Sequence, residues 1–132
     1  MADIETESTS TEGYATTNIL GEWELAIDAT NETGPNPNEV LVADYAACFI
    51  PAFRVGANKE GFDDIGTVRI EAAADLDEED DLEWIDFELH VEKSLEGSAQ
   101  DILDRAEDIC HVHAALKEEL EAEVTIEEEV DF

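Results

Sequence analysis

Apolar and polar residues alternate from Trp23 to Asp28, with Trp23, Leu25 and Ile27 on one face and Glu24, Ala26 and Asp28 on the other. A period of two is that of a half-buried strand, and Tyr14 to Ile19 supplies its hairpin partner. The turn-forming TNETGPNPN run then closes the strand region and opens a helix, because Pro37 suits a first helical position behind Asn36 as N-cap. From Val40 to Ala57 only Asp44 and Arg54 interrupt apolar residues, the pattern of a central helix covered by protein on every side. Pro51 falls inside this 37–56 helix and cannot donate to the carbonyl of Ala47, so a kink or broken turn is expected beside Cys48.

Two more strands follow. Val68, Ile70 and Ala72 alternate with Thr67, Arg69 and Glu71, and Ile85, Phe87, Leu89 and Val91 alternate with Trp84, Asp86, Glu88, His90 and Glu92. An acidic AAADLDEEDD turn joins them, and His90, on the polar face between acids, has the setting of a solvated histidine. Ser98 and Asp101 stand at capping-box spacing. Ile102, Ala106, Ile109, Cys110, His113, Leu116 and Leu120 recur at helical spacing and predict an amphipathic helix from about 99 to 120, with Cys110 on its buried face. Ala122, Val124 and Ile126 form a last strand. The order of strands, helix, strand pair, helix and strand is an α+β fold in a single domain over residues 14–132. Residues 1–13, with almost nothing to bury, read as a disordered acidic tail.

Charge changes the picture next. With 37 Asp and Glu against 6 Lys and Arg among 132 residues, the net charge is −31. Such a surface repels phosphate backbones and anionic lipid, so neither nucleic acid nor a membrane surface is an expected partner. The acids are spread over every segment, which is the composition of a protein working in molar salt, where the Debye length is roughly 3 Å and self-repulsion is screened. No basic, apolar leader opens the chain and no stretch reaches the roughly 20 apolar residues of a spanning helix, so a cytoplasmic location is expected.

Candidate chemistry rests on Cys48 and Cys110, which are either buried hydrophobes or a redox pair. Cys110, His111 and His113 make a Cys-His-x-His string, but His111 cannot join an i, i+3 pair on one helix without unwinding it. The acidic runs lack the alternating ligands and glycine of a calcium loop, so no metal and no other cofactor is expected.

The run NPNEVLVADYAACF, with a cysteine inside an apolar helix opened by Asn-Pro, resembles the first signature of the OsmC/Ohr family of thiol peroxidases. ICHVHAALKEELEAEV, with a second cysteine before a strand, resembles the second. The resemblance implies an OsmC-like fold, an antiparallel sheet wrapped around two central helices in an intertwined homodimer. It implies a peroxidatic Cys48 that attacks an organic hydroperoxide to form a sulfenic acid. Cys110 would then resolve it to a disulfide that an external dithiol reduces, in oxidative or osmotic stress defence. Glu39 and His113 are the supporting candidates. The chain departs from the family pattern where it carries Asn38 directly after Pro37 and no Arg or Lys before Arg54. A cation for the Cys48 thiolate must therefore come from Arg54, Arg69 or Arg105. The alternative reading is a non-catalytic dimer of the same fold that binds a small molecule or a protein.

Overall fold

The computed structural model describes residues 2–132. The chain divides into two compact units, one ending at Leu41 and the other spanning Val42–Phe132.

The first unit is a three-stranded antiparallel sheet in the order β1 (Thr6–Thr9), β2 (Ala15–Leu20), β3 (Trp23–Asp28). Leu20 pairs with Trp23 across the two-residue loop Gly21-Glu22, and Gly21 takes the positive φ of 63° that such a loop requires. The expected disordered tail over 1–13 is corrected here: residues 6–9 pair with β2, from Thr6 opposite Leu20 to Thr9 opposite Thr17. All four side chains of β1 are exposed, so the backbone ladder holds this strand, and a pattern built on burial could not reveal it. Asp28 ends β3 buried, its carboxylate accepting from the backbone N–H and hydroxyl of both Thr30 and Thr33 at 2.7–3.0 Å. Those donors, the Thr30 hydroxyl foremost, hold its pKa well below the usual carboxylate value.

Helix α1 (Pro37–Lys59) begins where the N-cap signal placed it. Asn36 Oδ1 accepts from the Glu39 N–H at 2.8 Å and Glu39 Oε1 accepts from the Asn36 N–H at 2.9 Å, a reciprocal capping box. The helix runs on through Pro51. It is long and apolar enough by composition to cross a membrane, with a mean hydropathy of 1.5 over 18 residues, contrary to the expectation that no stretch reaches that length. Its stripe of Tyr45, Phe49, Ala52, Phe53 and Ala57 is buried in the core of the second unit. The expected cover on every side is not found within one chain: Leu41, Ala47, Pro51 and Val55 are exposed.

The second unit carries the sheet β4 (Val68–Leu76), β5 (Leu82–Val91), β6 (Glu123–Glu127), with β5 central. β4 and β5 are antiparallel, from Val68 opposite Val91 to Leu76 opposite Leu82. β6 lies parallel to β5, the one departure from an all-antiparallel sheet, because the helical crossover between them returns the chain to the end where β5 began. Ile85, Phe87, Leu89 and Val91 are all buried with the α1 stripe and with Ile102, Leu103 and Ala106 of α2 (Ala99–Ile109). α1 and α2 approach closely at Gly56, where a Cβ would stand 3.0 Å from the Ile102 carbonyl oxygen.

The single helix expected over 99–120 is three pieces: α2, α3 (His111–Ala115) and a 3₁₀ turn Glu118–Leu120. Cys110 breaks it in an extended conformation, φ −67° and ψ 112°. Ser98 supplies only its backbone carbonyl to Ile102 N, and its side chain makes no cap bond.

Candidate active site

The fold brings Cys48 and Cys110 together. Helical spacing puts Tyr45, Cys48 and Phe49 on one side of α1, and the break between α2 and α3 delivers Cys110 into the same core. Both are free thiols, and Cys48 is among the groups that raise the Cys110 pKa, so the two lie within reach of one another. Cys48 is half-buried, whereas Cys110 is 1% exposed. Burial, opposed by the N–H of His113 donating to Sγ at 3.4 Å, pushes the Cys110 thiol up to about 11. Cys110 is therefore a neutral thiol at any ordinary pH, and Cys48 is the sulfur with access to solvent.

A second chain of contacts fixes the surroundings of Cys110. The Tyr45 hydroxyl accepts from the Ala122 N–H at 3.0 Å and lies 2.6 Å from His113 Nδ1. Burial pushes this phenol up to about 12, so it keeps its proton and donates it to Nδ1. The remaining ring proton of a neutral His113 then sits on Nε2, 3.1 Å from Glu121 Oε1. Tyr45 also packs against Phe87 at 4.7 Å and edge-on to Phe49 at 6.3 Å, which locks its ring. His113 thus touches Cys110 through its backbone and Tyr45 through its ring.

Glu39 is engaged elsewhere. Its carboxylate accepts from Asn36 N and Asn31 Nδ2, bonds that lower its pKa, and it stands two and a half turns before Cys48 on the same helix. Each of the three candidate cations is likewise committed. Arg54 donates to the Gly66 carbonyl at 2.9 Å, Arg69 lies over the Phe132 ring at 5.0 Å, and Arg105 pairs with Glu60 at 2.6 Å. His111 is exposed.

Sequence reasoning overlooked Tyr45 and Glu121. A tyrosine one turn before a cysteine inside an apolar helix was the available signal, because a buried hydroxyl requires a partner. It also misread His90, which is only 6% exposed instead of solvated.

The family model of OsmC-like proteins matches residues 29–125. The chain belongs to the OsmC-like family. An uncharacterized protein of Haloferax volcanii is 57% identical over 127 residues, covering 96% of each chain. Among solved structures, an OsmC-like protein from Mycoplasma pneumoniae superposes with a TM-score of 0.80 at 18% identity, over 96% of this chain and 97% of that one. The organic hydroperoxide resistance protein OhrB of Bacillus subtilis gives 0.71 at 18% identity, over 96% and 98%. The fold is thus OsmC-like, and membership of the OsmC-like family supports a family-level role in peroxide or stress defence.

Proposed function

We propose that this OsmC-like protein is a thiol-dependent peroxidase that reduces organic hydroperoxides with Cys48 as the peroxidatic residue and Cys110 as the resolving one. The observation that carries the reading is the placement of a half-buried thiol, Cys48, against the core that holds the fully buried thiol of Cys110, near enough to raise its pKa. Cys48 sulfur attacks the terminal peroxide oxygen, the O–O bond breaks, and the alkoxide leaves as alcohol with the thiol proton, leaving a sulfenic acid on Cys48. Cys110 sulfur then attacks Cys48 sulfur; the S–O bond breaks and hydroxide departs with the Cys110 proton as water. An external dithiol returns the disulfide to two thiols. Burial keeps Cys110 neutral and so out of competition for the peroxide. His113 and Tyr45 position Cys110, while Glu39 caps the start of α1 and takes no part in the thiol chemistry.

The active form is a cytoplasmic homodimer working in molar salt, with one OsmC-like domain in each chain that includes β1. Support comes from the exposed Leu41, Pro51 and Val55 on α1 and from Tyr14 and Trp23, exposed apolar residues that a second copy would cover. The charge of −31 disfavours nucleic acid and anionic membranes as partners.

Thiol loss after adding an equivalent of cumene hydroperoxide in molar KCl tests the reading. Both thiols disappear in the native protein, Cys48→Ser reacts no faster than free cysteine, and Cys110→Ser leaves a sulfenic acid that dimedone traps. Unchanged loss in Cys48→Ser overturns it. The engagement of Arg54, Arg69 and Arg105 away from the thiols favours a second reading, a non-catalytic dimer that binds a small molecule or protein. Its signature is unreactive thiols in a protein whose melting temperature a ligand raises.

A further inference from the structure

The β4–β5–β6 sheet has an outer face that the thiol chemistry does not use. Alternation sends Ile85, Phe87, Leu89 and Val91 of β5 into the core, so Glu88 and His90 lie on the opposite face. His90 is nevertheless only 6% exposed. Its Nε2 lies 2.9 Å from Glu71 Oε2 and 3.4 Å from Glu88 Oε1. Its Nδ1 is buried with no hydrogen-bond partner, although Glu127 Oε2 stands 3.4 Å away. A buried ring nitrogen left without a bond costs free energy, and the surrounding carboxylates offer a way to relieve it.

The register explains why these groups meet. Glu71 is directly opposite Glu88, and His90 is directly opposite Glu127. Like charges facing each other across a ladder destabilise it, and on the β5–β6 ladder Asp86 opposite Glu123 repeats the conflict. The one Arg on this face, Arg69 opposite His90, is turned over the Phe132 ring. From Glu71 and Glu88 a cleft of about 500 Å³ continues past Asp86, Glu123 and Thr125. A face with so many facing carboxylates and a buried imidazole is chemically matched to a cation.

One ligand atom from each of Glu71, Glu88 and His90 lies within 4.8 Å of the other two. Bonds of roughly 2.0–2.1 Å to a tetrahedral ion put its ligands about 3.4 Å apart. Of the spacings from Nε2, 3.4 Å to Glu88 matches that edge and 2.9 Å to Glu71 falls about half an ångström short of it. An imidazole nitrogen with two carboxylates suits zinc-like ions, whereas calcium and magnesium take all-oxygen sets. We propose that Glu71, Glu88 and His90 bind one divalent transition-metal ion of the zinc class. His90 coordinates through Nε2 and carries its proton on Nδ1, where Glu127 accepts it. That carboxylate–histidine–metal arrangement gives the unpartnered nitrogen its bond and fixes the tautomer. Glu71, Glu88 and Glu127 remain exposed, so the ion keeps a side open to solvent.

The full-length protein, stripped with a chelator and held in molar KCl, is dialysed against Zn2+. Bound metal per chain is measured, and the His90 ring nitrogens are followed by long-range proton–nitrogen NMR. The expected result is one ion per chain and a shift of the His90 Nε2 resonance. Glu71→Gln weakens affinity by at least about tenfold, while Glu78→Gln in the acidic turn leaves it unchanged. His90→Gln abolishes binding; should loss of that buried side chain unfold the protein, the exposed Glu71 position carries the test. Zinc bound with an unmoved His90 resonance, or with equal affinity in Glu71→Gln, would assign the ion to the thiols or to diffuse surface charge and overturn the proposal. Absence of stoichiometric binding would overturn it as well.

Discussion

Tyr45 joins two parts of the second unit with one hydroxyl, accepting from Ala122 N–H and donating to His113. Tyr45→Phe keeps the ring packing and leaves the buried Ala122 N–H without an acceptor, at a cost of about 1–3 kcal/mol that a denaturant midpoint will report. The same substitution has a pH signature. Tyr45 is raised to about 12 and Cys110 to about 11, above their ordinary values of 10.0 and 9.0, because burial opposes both anions. Stability from such groups is complete below the ordinary values and declines as pH rises toward the raised ones, since the unfolded chain loses its protons first. Melting temperature should therefore fall from about pH 9 upward, and less steeply in Tyr45→Phe, where only Cys110 remains to titrate. An identical alkaline slope in both proteins would count against the buried phenol as a cause. At this scale the cysteines were legible, because each sits in a recurrent apolar frame. His90 was not: alternation tells which face a side chain takes, and says nothing of carboxylates on neighbouring strands that close over it.

Helix α1 shows what local sequence can specify on its own. Asn36, Pro37 and Glu39 contain the cap, the first helical residue and the reciprocal partner, and the structure uses all three. Asn36→Ala removes the acceptor for Glu39 N–H and should lower stability by about 1 kcal/mol. The rate of thiol loss at Cys48 should stay unchanged, measured beside the denaturation midpoint. A large loss of peroxide reactivity with little loss of stability would instead tie the start of α1 to the chemistry. The break at Cys110 was illegible for the converse reason. No glycine or proline marks it; the buried thiol takes the N–H of His113 three residues on, and the His113 ring accepts from the Tyr45 hydroxyl, a contact supplied from far along the chain. β1 escaped in the same way, since an exposed strand held by its ladder has no apolar period.

For the molecule as a whole, charge decides under what conditions this fold can exist. Among the described residues the Lys and Arg ion pairs are Lys93–Asp64 and Arg105–Glu60, so most of the 37 acids meet no basic partner. Raising KCl from about 0.1 M to 1 M shortens the Debye length from about 10 Å to about 3 Å, below the spacing of most surface carboxylates. A dimer brings two chains of −31 each into contact, so its repulsion is screened over the same interval while the apolar α1 residues it covers gain nothing from screening itself. Sedimentation across a KCl series should show monomer at low salt and dimer in molar salt, with melting temperature rising along the same curve. Repeating the series in potassium sulfate at matched ionic strength separates the causes. Screening predicts coincident curves, whereas strengthened apolar burial predicts a further rise in sulfate, which is excluded from protein surfaces. Monomer alone in molar salt would contradict the homodimer, and would leave the exposed face of α1 without the partner its sequence calls for.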